Sequence, residues 1–197
     1  MRWITRTLGA TLGLVALLAT PAHAKDLAAG TCTPTGKLTQ AFSAFGDNGL
    51  YTPVQNAGAE SGAAGWTLTG GAGVVSANEP WFISGNRADS HALSLAQGAV
   101  ATSTPLCIDE TFTHFRAFVR GSGTVRVEIV FPDANGTMTS RQAGDVKPGR
   151  TWAPTGQLPI AVIKKAGTTT VPVSFRFTAL QGSFQIDDVY VDPWARS

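Results

Sequence analysis

The chain has few of the residues that most hydrolases use at their active sites. Its 197 residues include three histidines and two cysteines. No histidine belongs to an HExxH pair or another metal-ligand spacing, and no GxSxG sequence presents a nucleophilic serine. These absences count against zinc and serine hydrolases. A pair of carboxylates placed for glycoside hydrolysis leaves no sequence motif, so a glycoside-active hydrolase stays an alternative.

Long apolar segments are also missing, apart from one at the N terminus. Arg2 and Arg6 precede an apolar run over residues 8–18, and Ala22-His23-Ala24 has the small-residue pattern that a signal peptidase requires. This run is too short to cross the roughly 30 Å of hydrocarbon in a bilayer. Residues 1–24 are therefore predicted to be a signal peptide. The prediction implies a secreted protein with no membrane insertion after cleavage.

Neither sign of charge is in surplus once the leader is removed. The chain has 15 lysines and arginines and 13 acids, and the leader contains two of the arginines and no acid, which leaves 13 of each. A nucleic-acid-binding domain is expected to carry a clustered basic surplus. The closest the sequence comes to a basic cluster is the pair Lys164-Lys165. We therefore expect no nucleic-acid partner.

The only two cysteines, Cys32 and Cys107, are predicted to form one disulfide. An even count in an exported chain favours a bridge over free thiols. A bridge that closes so long a loop stabilises the fold by about 4 kcal/mol in the chain-entropy model. The alternative is a pair of independent buried thiols.

Short β-branched and aromatic runs, separated by Gly, Pro, Asn and Asp, fill the chain from Trp66 onward. This pattern is typical of an antiparallel β-sandwich, and eight or more such runs suit a jelly roll. One of the predicted strands covers residues 81–84. Asn135-Gly136 predicts a tight turn between two strands, and Gly121-Ser122-Gly123 is interpreted as a second hairpin turn.

Strand alternation predicts one polar face that contains several arginines. Apolar side chains alternate with polar ones in three segments, over residues 113–120, 125–131 and 173–178. If these segments pair, their polar side chains share one outer surface. That surface is either solvated and ion-paired or a ligand-binding site, with an exposed indole in a nearby loop as an aromatic platform. The candidate residues are Arg116, Arg126, Glu128, Arg176 and Trp152.

Two short stretches near the ends of the predicted domain resemble a known family. They are Asn56-Ala57-Gly58-Ala59-Glu60-Ser61-Gly62, followed by Gly65-Trp66, and Ile186-Asp187-Asp188-Val189-Tyr190-Val191. They resemble the opening and closing signatures of galactose-binding-like jelly rolls, which include many carbohydrate-binding modules. The chain is also similar to secreted bacterial proteins with the same ending. Ala59 departs from the pattern, since the modules usually have an aromatic residue there.

The resemblance implies an all-β fold, an antiparallel β-sandwich of jelly-roll type over residues 53–192. Residues 25–52 would be an N-terminal extension packed on this domain, and residues 193–197 a short tail. In the family a core tryptophan follows the first signature, and the resemblance gives Trp66 that role.

The resemblance also implies a structural calcium site formed by Glu60 and by Asp187 or Asp188. Calcium prefers six to eight hard oxygen ligands, and these acids meet only if the first and last strands of the domain are neighbours. Alternation turns one of the two aspartates toward an apolar side, where a carboxylate is costly without a cation or several donors. The alternative is an aspartate that caps backbone amides or pairs with an arginine.

The function expected from the resemblance is non-catalytic recognition of an extracellular or cell-envelope glycan. A polysaccharide or another cell-envelope component would then be the partner. Two alternatives stay open: a structural or interaction protein of the envelope that binds no sugar, and the glycoside-active hydrolase. Fold alone does not choose among them.

Overall fold

The computed structural model describes residues 32–163 and 166–194, so the predicted signal peptide and Lys164-Lys165 lie outside the described residues. Within these ranges the chain forms eleven strands and a short 3₁₀ helix, Ser43–Phe45. No helix in them is long and apolar enough to span a bilayer. The strands are β1 Thr52–Pro53, β2 Trp66–Thr69, β3 Gly73–Ser76, β4 His91–Leu95, β5 Val100–Ser103, β6 Leu106–Ile108, β7 His114–Pro132, β8 Met138–Val146, β9 Ala153–Pro154, β10 Leu158–Pro159 and β11 Val171–Asp192.

The two longest strands, β7 and β11, form the framework of the fold. They pair antiparallel along almost their whole length, from Val130 with Ser174 to His114 with Asp192. Each has different neighbours in its two halves: the first half of β11 pairs with β5 and β6, and its second half pairs with β4 and β1. The two strands therefore run through both sheets of a sandwich.

Three glycines lie where β7 and β11 pass from one sheet to the other. Gly121, Gly123 and Gly182 have φ values of 143°, 98° and 75°. A Cβ on Gly121 would lie 2.3 Å from the carbonyl oxygen of Ser183, so the two backbones approach too closely for a side chain. The hairpin interpretation of Gly121-Ser122-Gly123 is therefore wrong. The glycines redirect a continuous strand and do not reverse it.

The first sheet has the order β2, β5, first half of β11, second half of β7, β8. The second has the order β3, β4, second half of β11, first half of β7, with β9 and β10 beyond β7. In the second sheet β1 pairs with the end of β11, Thr52 opposite Val191, so the first and last strands of the domain are neighbours. The predicted fold class is confirmed: the protein is an antiparallel β-sandwich of jelly-roll type.

The core lies between the sheets and is built from the apolar positions that alternation predicts. Phe115 of the second sheet packs on Phe175 of the first, with ring centroids 4.5 Å apart. Trp66 is buried at the start of β2, and its indole Nε1 donates to the carbonyl of Asn56 at 2.9 Å. Trp66 thus has the core position that the resemblance implies. Other fully buried side chains are Phe131, Phe177, Leu93, Leu95, Ile108, Ile129 and Ile186.

Residues 32–51 pack on the outer face of the second sheet. Phe42 is fully buried and stacks on Phe118, with ring centroids 5.5 Å apart. The predicted disulfide between Cys32 and Cys107 is confirmed, and it joins this segment to β6. One half of the outer face is consequently covered by the segment, and the half nearer the three glycines is left open.

A cluster of buried polar groups fixes the end of this segment to β7 and β11. The hydroxyl of Tyr51 lies 2.7 Å from Asp47 Oδ2 and 2.8 Å from His114 Nε2. His114 Nε2 is also 3.2 Å from Asp192 Oδ2, and Arg116 donates to Asp47 Oδ2 at 2.9 Å. Burial lowers the pKa of His114 despite the two nearby carboxylates. We call these five residues the Tyr51 cluster.

Candidate functional site

Asp187 and Asp188 lie at a bulge in the last strand. The pairing of β11 with β7 shifts between Asp187, opposite Phe118, and Tyr190, opposite Arg116, and Asp188 has a φ of 47°. Both carboxylates approach Gly58, whose Cβ would lie 3.2 Å from Asp187 Oδ1 and 3.3 Å from Asp188 Oδ1. The expectation that the two aspartates point to opposite sides is therefore wrong, because the bulge interrupts the alternation.

Glu60, the third predicted calcium ligand, is held at the start of β4. Its Oε1 accepts hydrogen bonds from the amides of Ser90 at 2.9 Å and His91 at 2.7 Å, and its Oε2 is 3.1 Å from His91 Nδ1. Partial burial raises the pKa of Glu60, but the bonds from His91 and Ser90 outweigh it and the net pKa is lowered. Its negative charge contributes to raising the pKa of Asp187.

The sequence reasoning missed a fourth carboxylate, Glu79. This side chain is fully buried and accepts hydrogen bonds from the amides of Trp81 and Ile83. The amide of Glu79 donates to Asp187 Oδ2 at 2.9 Å. These bonds fold residues 79–83 into turns, so the strand predicted over residues 81–84 is wrong. The sequence feature that could have indicated a buried Glu79 is its position between Asn78 and Pro80, just before the three apolar residues 81–83.

The buried carboxyl groups cannot all be ionised without compensation. Burial raises the pKa of Asp187 to about 7, with a further contribution from the charge of Glu79. Burial also raises the pKa of Asp188 to about 8, and the neighbouring charges of Asp187 and Glu79 add to the effect. Carboxylates placed this close together need bound protons or a cation. We call Glu60, Glu79, Asp187 and Asp188 the acidic cluster.

An open cavity of about 320 Å³ adjoins the acidic cluster. Glu60 and Asp188 contribute to its lining together with Asp89 and Tyr190. Burial raises the pKa of Tyr190 well above its usual range, and the charge of Asp188 adds to this. The lining is completed by Pro53, Val54, Asn56, Ala57, Gly58, Ser84 and Asn86.

The donors around Asp187 and Asp188 have the chemistry that calcium prefers. Among residues 32–163 and 166–194, no three histidine, cysteine or carboxylate side chains are placed so that they could hold a metal ion together. Calcium sites, however, combine carboxylates with backbone carbonyls and water. The backbone of Gly58 passes directly beside both aspartates, where a Cβ would be in tight contact with their carboxylates. Two buried carboxylates are thus available as calcium ligands, and the remaining ligands would have to be backbone carbonyls or water.

The polar residues predicted to share one surface lie in two places. Arg176 pairs with Glu128 at 3.0 Å and Arg126 with Asp145 at 3.2 Å, on the outer face of the first sheet. Arg116 belongs to the second sheet and to the Tyr51 cluster. The prediction that Arg116 shares a surface with the other three is wrong, because β7 changes sheets at its glycines. The face with Arg126, Glu128 and Arg176 is ion-paired and solvated.

Trp152 is not the exposed platform that its loop position suggested. Its side chain is 9% exposed, and the guanidinium of Arg120 lies over its ring at 4.9 Å from the centroid. Trp81 and Trp194 are the exposed indoles of the described chain, at 41% and 59%. Trp81 packs on Phe118, with centroids 5.4 Å apart.

The open half of the second sheet contains a polar groove that the sequence reasoning did not identify. Gln185 of β11 lies opposite Ser94 of β4 on one side and Arg120 of β7 on the other. Arg120 Nε donates to Gln185 Oε1 at 2.6 Å. The groove has a volume of about 470 Å³, within the range of about 300–1,000 Å³ that ligand sites have. Its lining consists of Ser94, Arg120, Gly121, Ser122, Arg150, Ser183, Phe184 and Gln185, and we call it the arginine groove.

The groove was missed because its residues are distant in sequence. They come from three paired strands and from the loop that follows β8. Arg120 was visible as a polar position of its segment, but nothing in the sequence placed Gln185 or Ser94 beside it.

No family model and no curated protein matches the chain. Solved structures do match its fold. The tailspike protein 4 enzymatically active domain of bacteriophage CBA120 is 19% identical over 71% of this chain and 21% of that chain, with a TM-score of 0.50. The CBM22-2 xylan-binding domain of Paenibacillus barcinonensis Xyn10C is 12% identical over 69% of this chain and 96% of that chain, with a TM-score of 0.49.

A third match is the Clostridium thermocellum xylanase 10B structure with CBM22-1 and GH10 modules, 14% identical over 71% of this chain and 28% of that chain, with a TM-score of 0.47. The chain thus spans only about a fifth of the tailspike chain and just over a quarter of the xylanase chain. At 19% identity and a TM-score of 0.50, the tailspike comparison shows a shared fold alone. The structural neighbours of this protein include carbohydrate-binding modules with jelly-roll folds.

Proposed function

We propose that this protein is a secreted, non-catalytic domain that recognises an extracellular or cell-envelope glycan. The observation that carries the proposal is the arginine groove, where Arg120, Gln185 and Ser94 form a row of polar side chains across three strands. Planar guanidinium and amide groups, with serine hydroxyls, match the hydroxyl groups around a sugar ring. Concave sites with a few convergent polar groups are where small ligands bind.

Trp81 supplies the apolar partner that a sugar needs. Its indole is exposed and packs on Phe118, which lies two residues before Arg120 on the same face of β7. Phe45 supports the ring edge-on, with centroids 4.9 Å apart. Trp81 does not line the groove itself, and we propose that its supported indole contacts the apolar C–H face of a sugar unit that extends from the groove past Phe118.

A glycan array and pull-down on insoluble polysaccharides test the proposal, with reducing-end release measured on each retained glycan. We expect retention without release. Trp81→Ala should weaken binding by roughly three- to tenfold, the effect of about 0.5–1.5 kcal/mol for one aromatic contact. Trp194→Ala, which removes another exposed indole, is the matched control and should change nothing. Absence of retention on every glycan would favour a structural protein of the envelope, and release of reducing ends would favour a hydrolase.

We further propose that a structural calcium ion binds at the acidic cluster, with the carboxylates of Asp187 and Asp188 as ligands and Glu60, which is hydrogen-bonded to His91 and Ser90, contributing negative charge nearby. The buried carboxyl groups and the close approach of Gly58 support this. A cation that binds only the folded state raises the melting temperature. We expect Tm to fall in chelator and to recover on adding calcium.

Two substitutions make the calcium test specific. Asp188→Asn should remove the calcium-dependent part of Tm, while Asp145→Asn, at an exposed acid paired with Arg126, should retain it. An equal Tm in chelator and in calcium for the unchanged protein would contradict the calcium proposal.

The secreted location is part of the proposal. The disulfide between Cys32 and Cys107 supports it, because such bonds persist in oxidising compartments. N-terminal sequencing of protein collected from the medium or periplasm should begin at Lys25. Retention of residues 1–24 on the folded protein would contradict cleavage.

A further inference from the structure

The lining of the arginine groove contains two arginines and no acid. Elsewhere arginines pair with carboxylates: Arg116 with Asp47, Arg126 with Asp145 and Arg176 with Glu128. Within the described residues, neither Arg120 nor Arg150 has a carboxylate partner. Two guanidinium groups at one groove therefore keep their positive charge uncompensated in a protein whose predicted mature form is neutral.

Arg120 is held in one orientation by its neighbours. Its Nε donates to Gln185 Oε1 at 2.6 Å, and its guanidinium stacks on the buried ring of Trp152. Among the described residues, none accepts a hydrogen bond from its two terminal nitrogens. A guanidinium fixed in this way loses little entropy when it binds a planar anion, since its plane is already set.

No neighbouring carboxylate of the described chain competes with a ligand for the arginines of the groove. The nearest acid along β11 is Asp187, two residues after Gln185 on the same face, and its side chain is fully buried. Asp187 Oδ2 accepts a hydrogen bond from the amide of Glu79, and Asp187 Oδ1 accepts one from the amide of Asp188, both at 2.9 Å. The groove therefore presents positive charge, one amide and the hydroxyls of Ser94, Ser122 and Ser183.

We infer that the arginine groove binds an anionic saccharide, whose carboxylate or sulfate group pairs with Arg120 and Arg150 while its hydroxyls contact the serines and Gln185. The inference rests on the proposed glycan recognition and names the class of glycan. Arginine forms two parallel hydrogen bonds with a carboxylate and comparable bonds with sulfate, which makes it the residue suited to both groups.

Calorimetric titration with defined oligosaccharides tests the inference. The probes are trigalacturonate, its trimethyl ester, which has the same sugar backbone without charge, and a sulfated disaccharide of chondroitin. We expect an anionic probe to bind at least tenfold more tightly than the trimethyl ester, with an affinity that falls as salt rises. Preference for trigalacturonate identifies a uronate ligand, and preference for the chondroitin disaccharide identifies a sulfated one.

Charge-removing variants locate the effect. Arg150 is exposed and has no partner in the described chain, so Arg150→Gln should fold normally and weaken binding of the anionic probe about tenfold while leaving the ester unchanged. Arg120→Gln should do the same, with Tm measured to confirm folding. Arg141→Gln removes one exposed arginine from β8, outside the groove, and should leave both affinities unchanged.

The outcomes separate the inference from the proposed function. Equal binding of trigalacturonate and its ester, or tight binding of neutral glycans alone, overturns the anionic specificity and keeps glycan recognition. An equal loss for Arg141→Gln and Arg150→Gln also overturns it, because attraction is then general to the surface. If no probe and no glycan of the array binds, glycan recognition itself fails.

Discussion

Single glycines decide how the two long strands run. Gly121 has a left-handed φ, and any Cβ there would meet the backbone of Ser183 and Phe184 at 2.3–2.5 Å. We expect Gly121→Ala to lower the free energy of unfolding by about 3 kcal/mol or more, because both backbones must move. Denaturant unfolding measures this.

Gly156→Ala is the control, since a Cβ there meets no atom within 4 Å and its φ is not left-handed. Its effect should stay within about 0.5 kcal/mol. If the two variants proved equally stable, the close crossing of β7 and β11 at Gly121 would be refuted.

Local sequence could not reveal the difference between a turn and a crossing at Gly121-Ser122-Gly123. Glycines accept left-handed φ values in both situations, so the flanking pattern is the same. The distinction depends on Gln181-Gly182-Ser183, which faces these residues across the pair of strands. By contrast, Asn135-Gly136 is a true turn, closed by hydrogen bonds between Asp133 and Thr137.

Among the elements, the segment over residues 32–51 has the fewest strand pairings and relies on the Tyr51 cluster. Removing the Tyr51 hydroxyl leaves Asp47 and His114 with one fewer partner in a buried site. Tyr51→Phe should therefore lower the free energy of unfolding by about 1–3 kcal/mol. Denaturant unfolding with the disulfide intact measures it.

Thr39→Val gives a comparison for this element, because the Thr39 hydroxyl is buried without a partner among the described residues. Thr39→Val should leave the free energy of unfolding almost unchanged or raise it. A loss for Tyr51→Phe no greater than for Thr39→Val would show that the Tyr51 cluster does not hold the segment.

Within β11, alternation predicted the inward positions of one part of the strand and failed in another. Val173, Phe175 and Phe177 face the core as expected. The bulge at Asp188 then lets consecutive aspartates approach Gly58 together. The alternation of apolar and polar residues does not mark the position of a bulge. The resemblance was what pointed to Asp187 and Asp188 as a pair.

For the whole molecule, the acidic cluster predicts an unusual pH dependence of stability in chelator. The folded pKa values of Asp187 and Asp188, about 7 and 8, lie above their ordinary value of 3.8. The folded protein then keeps protons that the unfolded chain releases, so the free energy of unfolding falls as pH rises from about 4 to 8. The slope is at most about 1.4 kcal/mol per pH unit for each proton.

His114 acts in the opposite direction because its pKa is lowered, and this effect fades as pH rises above the ordinary histidine value of 6.5. The range from about pH 7 to 8 therefore reports mainly on the aspartates. Chemical unfolding across this range should show falling stability in chelator, a smaller fall in calcium and a flatter profile for Asp188→Asn. A stability that is constant or rises over this range in chelator would contradict the buried, uncompensated carboxyl groups.

The course of β11 has a consequence for how the two sites act on each other. Gln185 lines the arginine groove and Asp187 belongs to the acidic cluster, and about 7 Å of extended backbone separates them. This is shorter than the screening length of about 8 Å at physiological ionic strength. A bound cation and a bound anionic sugar would attract each other through one strand. Since such coupling is reciprocal, each ligand should bind more tightly when the other is present.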